Sequence, residues 1–198
     1  MMKKLIFDEP VINRKEILRY ARVKDEIPDI SALLNECIEE ARGVLVYRVG
    51  YAVLPVQRTD NEMILDVIHT SSNTVSKAIS HCDEAVIFAA TIGTEYDRLI
   101  LRYSRLSPSK ALLLQALGAE RVESLCDAFC QQMNTELRLE EKSLRTRVSP
   151  GYGDISLTMQ KEIFAILDCE RKLGITLNND LMMTPTKSVT AIAGIRKN

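Results

Sequence analysis

Ala85-Val86-Ile87-Phe88-Ala89-Ala90 is an unbroken apolar run of strand length. Alternation would mark a strand with one wet face, whereas a continuous run marks a central strand buried on both faces. Upstream, residues 44–49 and 51–54 are β-rich, and Gly50 is predicted to mark a bulge or bend between them. Residues 63–68 read as a further strand and 73–81 as a short helix. Downstream, Thr94 opens a helix carrying Leu99, Ile100 and Tyr103, with Asp97 as its acidic cap partner. Ser107-Pro108 opens a longer one, Ser as the cap and Pro at the first helical position, where its missing N–H does no harm. The apolar stripe of that helix is Leu114, Gly118, Val122, Leu125, Cys126, Phe129 and Met133. Toward the N-terminus, residues 13–23 form a helix with Asn13 and Glu16 as a capping box, and 31–42 a second one ended by Gly43. Residues 145–154 are a polar loop. Ser156 then caps a helix with Met159, Ile163, Ile166 and Leu167 inward and Gly174 after its end, and 175–177 and 188–195 are short late strands. Helices and strands mix without strict βαβ alternation, so the expected fold is α+β: one domain over 1–198, a twisted, mainly antiparallel sheet with flanking helices.

Bulk composition removes several function classes. Lys+Arg (26) and Asp+Glu (27) nearly cancel, so there is no basic excess for nucleic acid to meet. No apolar stretch approaches the ~20 residues that a membrane-spanning helix needs, so no membrane role is expected. The opening run at 1–10 is too short and too acidic for a secretion signal, and the expected compartment is the cytoplasm. Five cysteines, an odd number without a CxxC, do not make a disulfide framework. Cys126 and Cys130 lie one helical turn apart, but a zinc or iron–sulfur site needs about four ligands. They read as buried small hydrophobes and no metal is expected. His69 and His81 lack matched acids and read as structural.

The segment suited to a ligand is Arg147-Val148-Ser149-Pro150-Gly151-Tyr152-Gly153-Asp154. Pro150 fixes one φ and holds Ser149 extended. Gly151 and Gly153 permit positive φ and close approach to the backbone. Arg147 offers a planar fork for a carboxylate, and Tyr152 a π face with a hydroxyl. A small molecule with a carboxylate, a cation and a flat base matches these groups; a Pro-Gly turn flanked by a surface Arg and a packed Tyr matches the letters equally well.

Arg147-x-x-x-Gly151-Tyr152 resembles the S-adenosylmethionine-binding signature of the activation domain of cobalamin-dependent methionine synthase. Leu157-Thr158-Met159-Gln160-Lys161-Glu162-Ile163-Phe164 looks like the helix that follows the signature in stand-alone members. Residues 182–194 resemble the family's Met-x-Pro-x-x-Ser-Val-Ser segment, with Thr190 where the last Ser is usual, and 119–129 resembles the helix before the signature. The match is strongest over 112–194.

The resemblance implies a reactivation component, part of a methyltransferase and not a complete enzyme. Cobalamin would be carried by a methionine synthase subunit, and a flavodoxin- or ferredoxin-like reductant would return an electron to oxidised cobalt. S-adenosylmethionine would then methylate the reduced cobalt. Such a role asks for positioning and no catalytic residue, in keeping with a sequence from which no Ser/His/Asp or Cys/His constellation can be assembled. By the same resemblance Arg147 grips the methionyl carboxylate, Val148, Ser149, Pro150 and Gly151 line the ligand, and Tyr152 packs against it. The family's helix acid falls by counting on Ser124, which leaves Glu123 and Glu120 as candidates. Fused members carry an extra aromatic contact beyond the position of Asn198. Two other roles fit the same letters: a non-catalytic S-adenosylmethionine-binding regulatory or assembly module, and a reactivator of another corrinoid methyltransferase.

Overall fold

In the computed structural model, which describes residues 1–197, the apolar run lies in the middle of a five-stranded sheet. In chain order the elements are β1 (Lys3–Phe7), α1 (Arg14–Tyr20), α2 (Pro28–Arg42), β2 (Tyr47–Pro55), β3 (Gln57–Arg58), β4 (Met63–Leu65), β5 (Ile68–Thr70) and α3 (Asn73–Ala78). They continue as β6 (Glu84–Thr91), α4 (Thr94–Leu106), α5 (Pro108–Arg138), β7 (Lys142–Leu144), α6 (Met159–Leu167), α7 (Cys169–Leu173), β8 (Thr176–Leu177), β9 (Met183–Thr184) and β10 (Ser188–Lys197). The sheet order is β1-β2-β6-β10-β7, antiparallel at every step. The α+β class and the antiparallel sheet expected from sequence are both present.

The period-2 geometry of β6 divides the interior in two. Val86, Phe88 and Ala90 face a core shared with α1, α2, α4 and α5. Ala85, Ile87 and Ala89 face a second core with Ile155, α6 and α7. The result is helices, sheet, helices, and a central strand with no wet face. The whole predicted stripe of α5 is buried on the first side, and Phe129 meets the rings of Phe88 and Tyr51 at centroid distances of 4.8 and 5.2 Å. Gly118 belongs to this stripe for want of room: a Cβ there would lie 2.4 Å from the Tyr96 ring of α4.

Local chemistry sets the helix starts. Asn13 accepts from the amide of Glu16 and Ser107 from that of Lys110, as predicted. Other expectations fail for non-local reasons. Gly50 marks no bulge; β2 runs through it in unbroken register with β1 and β6. It is glycine because a Cβ would meet Met2 at 2.5 Å and Leu173 at 2.8 Å. Residues 63–68 are not one strand but the β4–β5 hairpin, turned at Asp66 with φ +56°. Asp97 caps nothing on its own helix; its carboxylate accepts from the amide and hydroxyl of Thr186, both at 2.7 Å. Ser156 lies two residues too early, and α6 begins after Thr158. The two edge strands, β1 and β7, carry no strong pattern of their own and exist by pairing with β2 and β10.

Candidate functional site

The loop from β7 to α6 leaves the sheet gradually. Leu144 pairs with Ile195, Arg145 N–H donates to Gly194 O at 2.9 Å, and Val148 exchanges two hydrogen bonds with Ile192 at 2.9 and 2.8 Å. From Ile195 to Ile192 is three residues, while from Leu144 to Val148 is four, so one extra residue is bulged out of the ladder near Arg147. A bulge re-aims side chains. Leu144 and Val148, four apart, would share a face on a regular strand. Instead Leu144 packs into the α5 core and Val148 into the α6 core. Continued without the bulge, the β7 register would set Arg147 opposite Ile192, on the α3 side. With the bulge, Arg147 reaches α5.

There Arg147 Nη2 donates to Glu123 Oε2 at 2.8 Å and to Asp127 Oδ1 at 2.9 Å. These acids are four apart, hence stacked on one face of α5. The guanidinium is 21% exposed, the carboxylates 40% and 74%. Burial works against the Arg147 charge, but the hydrogen-bonded carboxylates of Glu123 and Asp127 outweigh it and its pKa is raised. Of its five N–H donors the two on Nη2 are engaged, and among the described residues Nε–H and the two on Nη1 have no hydrogen-bond partner.

Beyond Val148 the chain turns sharply. Tyr152 N–H donates to Ser149 O, Ile155 N–H to Tyr152 O, and Gly151 N–H to Ile155 O. Gly151 and Gly153 take φ of +85° and +60°, where a side chain is strained. Pro150 is buried beneath the turn and Tyr152 stands 68% exposed on top of it, not packed against the protein. Asp154 anchors the far end by accepting from Ser72 Oγ, Asn73 N and Thr74 N at 2.7, 2.7 and 3.1 Å. Hydrogen bonds from Thr74, Ser72 and Asn73 hold its carboxyl well below the usual carboxylate range.

Glu120 is placed elsewhere. It is 2% exposed and paired with Arg121, itself 1% exposed, through contacts of 2.6 Å. Its Oε1 also accepts from Asn13 N–H at 2.9 Å and Ser124 Oγ at 2.7 Å. Arg121 in turn donates to Pro10 O and Val11 O at 2.6 and 2.9 Å. The group fastens residues 10–13 to α5 and has little capacity left for a ligand. The structure thus joins Arg147 to Glu123 but not to Glu120, and adds Asp127, which sequence reading missed. The available signal was the i, i+4 spacing of Glu123 and Asp127. Burial pushes the thiols of Cys126 and Cys130 up, which keeps them protonated. His69 lies near Glu62, and His81 occupies a turn with φ +57°, both exposed. The segment resembling Met-x-Pro-x-x-Ser-Val joins β10 to the sheet: Ser188 Oγ contacts Thr91 Oγ1 at 2.9 Å and Pro185 O at 2.8 Å.

The class defined by this architecture is a three-layer α+β domain whose sheet edge presents a glycine-bearing polar loop to a long helix. A family model described as "Vitamin B12 dependent methionine synthase, activation domain" matches residues 57–197, and the chain belongs to that family. No curated protein matches the sequence. Among solved structures the chain is similar to one described as "Crystal Structure of the MetH Reactivation Domain bound to AdoHcy", with a TM-score of 0.68 and 15% identity over 98% of this chain and 78% of that one. At that identity the likeness is one of fold.

Proposed function

We propose that the chain binds S-adenosylmethionine at the 147–152 loop and supports the reductive methylation of oxidised cobalamin held by a partner protein. The observation that carries this reading is the bulge that sets Arg147 against Glu123 and Asp127, beside an exposed tyrosine, in a chain of this family. The residues fit the ligand. The free Nε and Nη1 edge of Arg147 suits the methionyl carboxylate. Glu123 and Asp127 suit its cationic groups, and the open face of Tyr152 suits the base or the sulfonium. The neighbour described as bound to AdoHcy, the demethylated form of the same ligand, points the same way.

Bound S-adenosylmethionine would supply a methyl group on a good leaving group, and reduced cobalt on the partner a nucleophile strong enough to take it without a base. The chain's own residues therefore bind and orient. Arg147 fixes one end of the ligand, the α5 acids orient that arginine, and the positive-φ glycines hold the turn at the height that leaves Tyr152 open. The partners of this reading are a cobalamin-binding methionine synthase subunit and a flavodoxin- or ferredoxin-like reductant, in the cytoplasm.

Isothermal titration of the purified chain with S-adenosylmethionine, with ATP as control, tests it. Saturable binding of the first and none of the second is expected. A folded sample that binds S-adenosylmethionine neither alone nor with the corrinoid protein present would overturn the reading.

A further inference from the structure

The two edges of the sheet differ. β7 is short and runs on into the bulged loop, whereas β1 is a full strand with β2 on one side and no strand on the other. Such an edge is a template for another chain. Along β1 the faces alternate. Leu5 and Phe7 pack on the core shared with α1 and α2, and Met2 on the core shared with α6 and α7. Continued at the same period, Lys3 and Glu9 share the first face, and Lys4, Ile6 and Asp8 the second. Glu9 accordingly meets Arg42 of α2 at 3.3 Å. Ile6 is 78% exposed, and Lys4 and Asp8 are exposed beside it. Among the described residues Lys3, Lys4 and Asp8 have no ion-pair partner.

We infer that β1 pairs antiparallel with β1 of a second copy of this chain, about a two-fold axis through Ile6, joining two five-stranded sheets into one. An axis perpendicular to the sheet keeps each face on its own side, so only registers centred on a residue are allowed. Centred on Leu5, Lys4 would meet Ile6 and Lys3 would meet Phe7. Centred on Phe7, Asp8 would meet Ile6 and Glu9 would meet Leu5. Centred on Ile6, Lys3 opposes Glu9, Lys4 opposes Asp8, Leu5 opposes Phe7 and Ile6 opposes itself. Every charge then faces its opposite and every apolar side chain its like, and symmetry makes each charged pair twice. Lysines on an edge ordinarily discourage pairing; with acids at the other end of the same segment they select this one register. Pro10, which has no N–H, ends the ladder just past Glu9. β1 and β7 are opposite edges, so the 147–154 loop of each copy stays open at the far ends of the joined sheet. The pairing is independent of the ligand assignment, and an interface of little more than two strands makes it a weak one.

The test is sedimentation equilibrium of the full chain, with nothing added before Met1, at low salt and from about 5 to about 500 µM, the range in which so small an interface should form. Wild type should pass from monomer to dimer across it. Lys4→Glu and Asp8→Lys each set like charges opposite one another at two places, and each alone should associate at least about 10-fold more weakly. An equimolar mixture of the two variants restores both pairs, one from each chain, and should dimerise as wild type does. Both side chains are exposed, so circular dichroism and melting temperature should not move. As a second readout on wild type, amide exchange across residues 3–9 should slow as concentration rises. A wild type that stays monomeric throughout, association that neither variant weakens, a mixture no better than its components, or exchange at 3–9 that ignores concentration would each overturn the inference.

Discussion

Two arginine–carboxylate groups hang from the same helix, α5, and they contrast. At Glu120–Arg121 both side chains are almost wholly buried, and the arginine fans out to Pro10 O and Val11 O while the glutamate receives Asn13 N–H and Ser124 Oγ. At Arg147–Glu123–Asp127 the arginine is half-buried, one acid is well exposed, and guanidinium donors remain unspent. A closed group has its capacity used by the protein and serves the fold. An open one has capacity left over and is where a ligand can act. Two glutamates three residues apart on one helix therefore have different roles.

Breaking the closed group should have the larger effect. Arg121→Met strands a buried carboxylate, and loss of one partner of such a pair typically costs about 3–5 kcal/mol; a urea titration should register most of that as lost stability. Arg147→Ala should move the other quantity. S-adenosylmethionine binding should weaken by about 2–4 kcal/mol, as expected for loss of a charged, forked contact, while the urea midpoint shifts little. An unchanged dissociation constant would remove Arg147 from the site, and a collapse of stability would move it into the closed class.

Asp154 sharpens the contrast from the loop's other end. Its folded pKa is depressed, so its contribution is complete above the ordinary carboxylate value of about 3.9 and fades as the pH drops further, because the unfolded chain binds the proton first. Asp154→Asn should therefore be less stable than wild type at pH 7, and the gap should narrow progressively between about pH 4 and pH 2. A gap of constant size would mean that shape, not charge, matters at the α3 cap. The smallest effect is expected at Cys126→Ala: a modest loss of stability from a small cavity and unchanged ligand binding. Loss of binding in a folded sample would bring the thiol into the site.

Legibility follows the same division between local and non-local causes. The central strand, the α5 stripe and the caps at Asn13 and Ser107 could be read because each is written within a few residues. Gly50 was misread because what excludes its Cβ is Met2 and Leu173, both remote in sequence. The hairpin at 63–70 and the edge strands lacked a pattern strong enough to separate them from loops. At the candidate site, Pro150 and the two glycines announced the turn. The bulge did not, since it exists only as a mismatch of count between the loop and β10. For the same reason nothing in the letters told Glu120 from Glu123: which acid meets Arg147 depends on which flank of α5 the loop crosses.

The open turn also carries its own optical reporter. The chain has no tryptophan and six tyrosines, so its near-ultraviolet emission is tyrosine emission alone. Tyr47, Tyr51 and Tyr96 lie in the core, and Tyr152 at 68% is more exposed than Tyr20 at 37%. A collisional quencher such as iodide should reach Tyr152 before the others, so whatever settles on the loop can be followed by the fluorescence it protects, with no label attached.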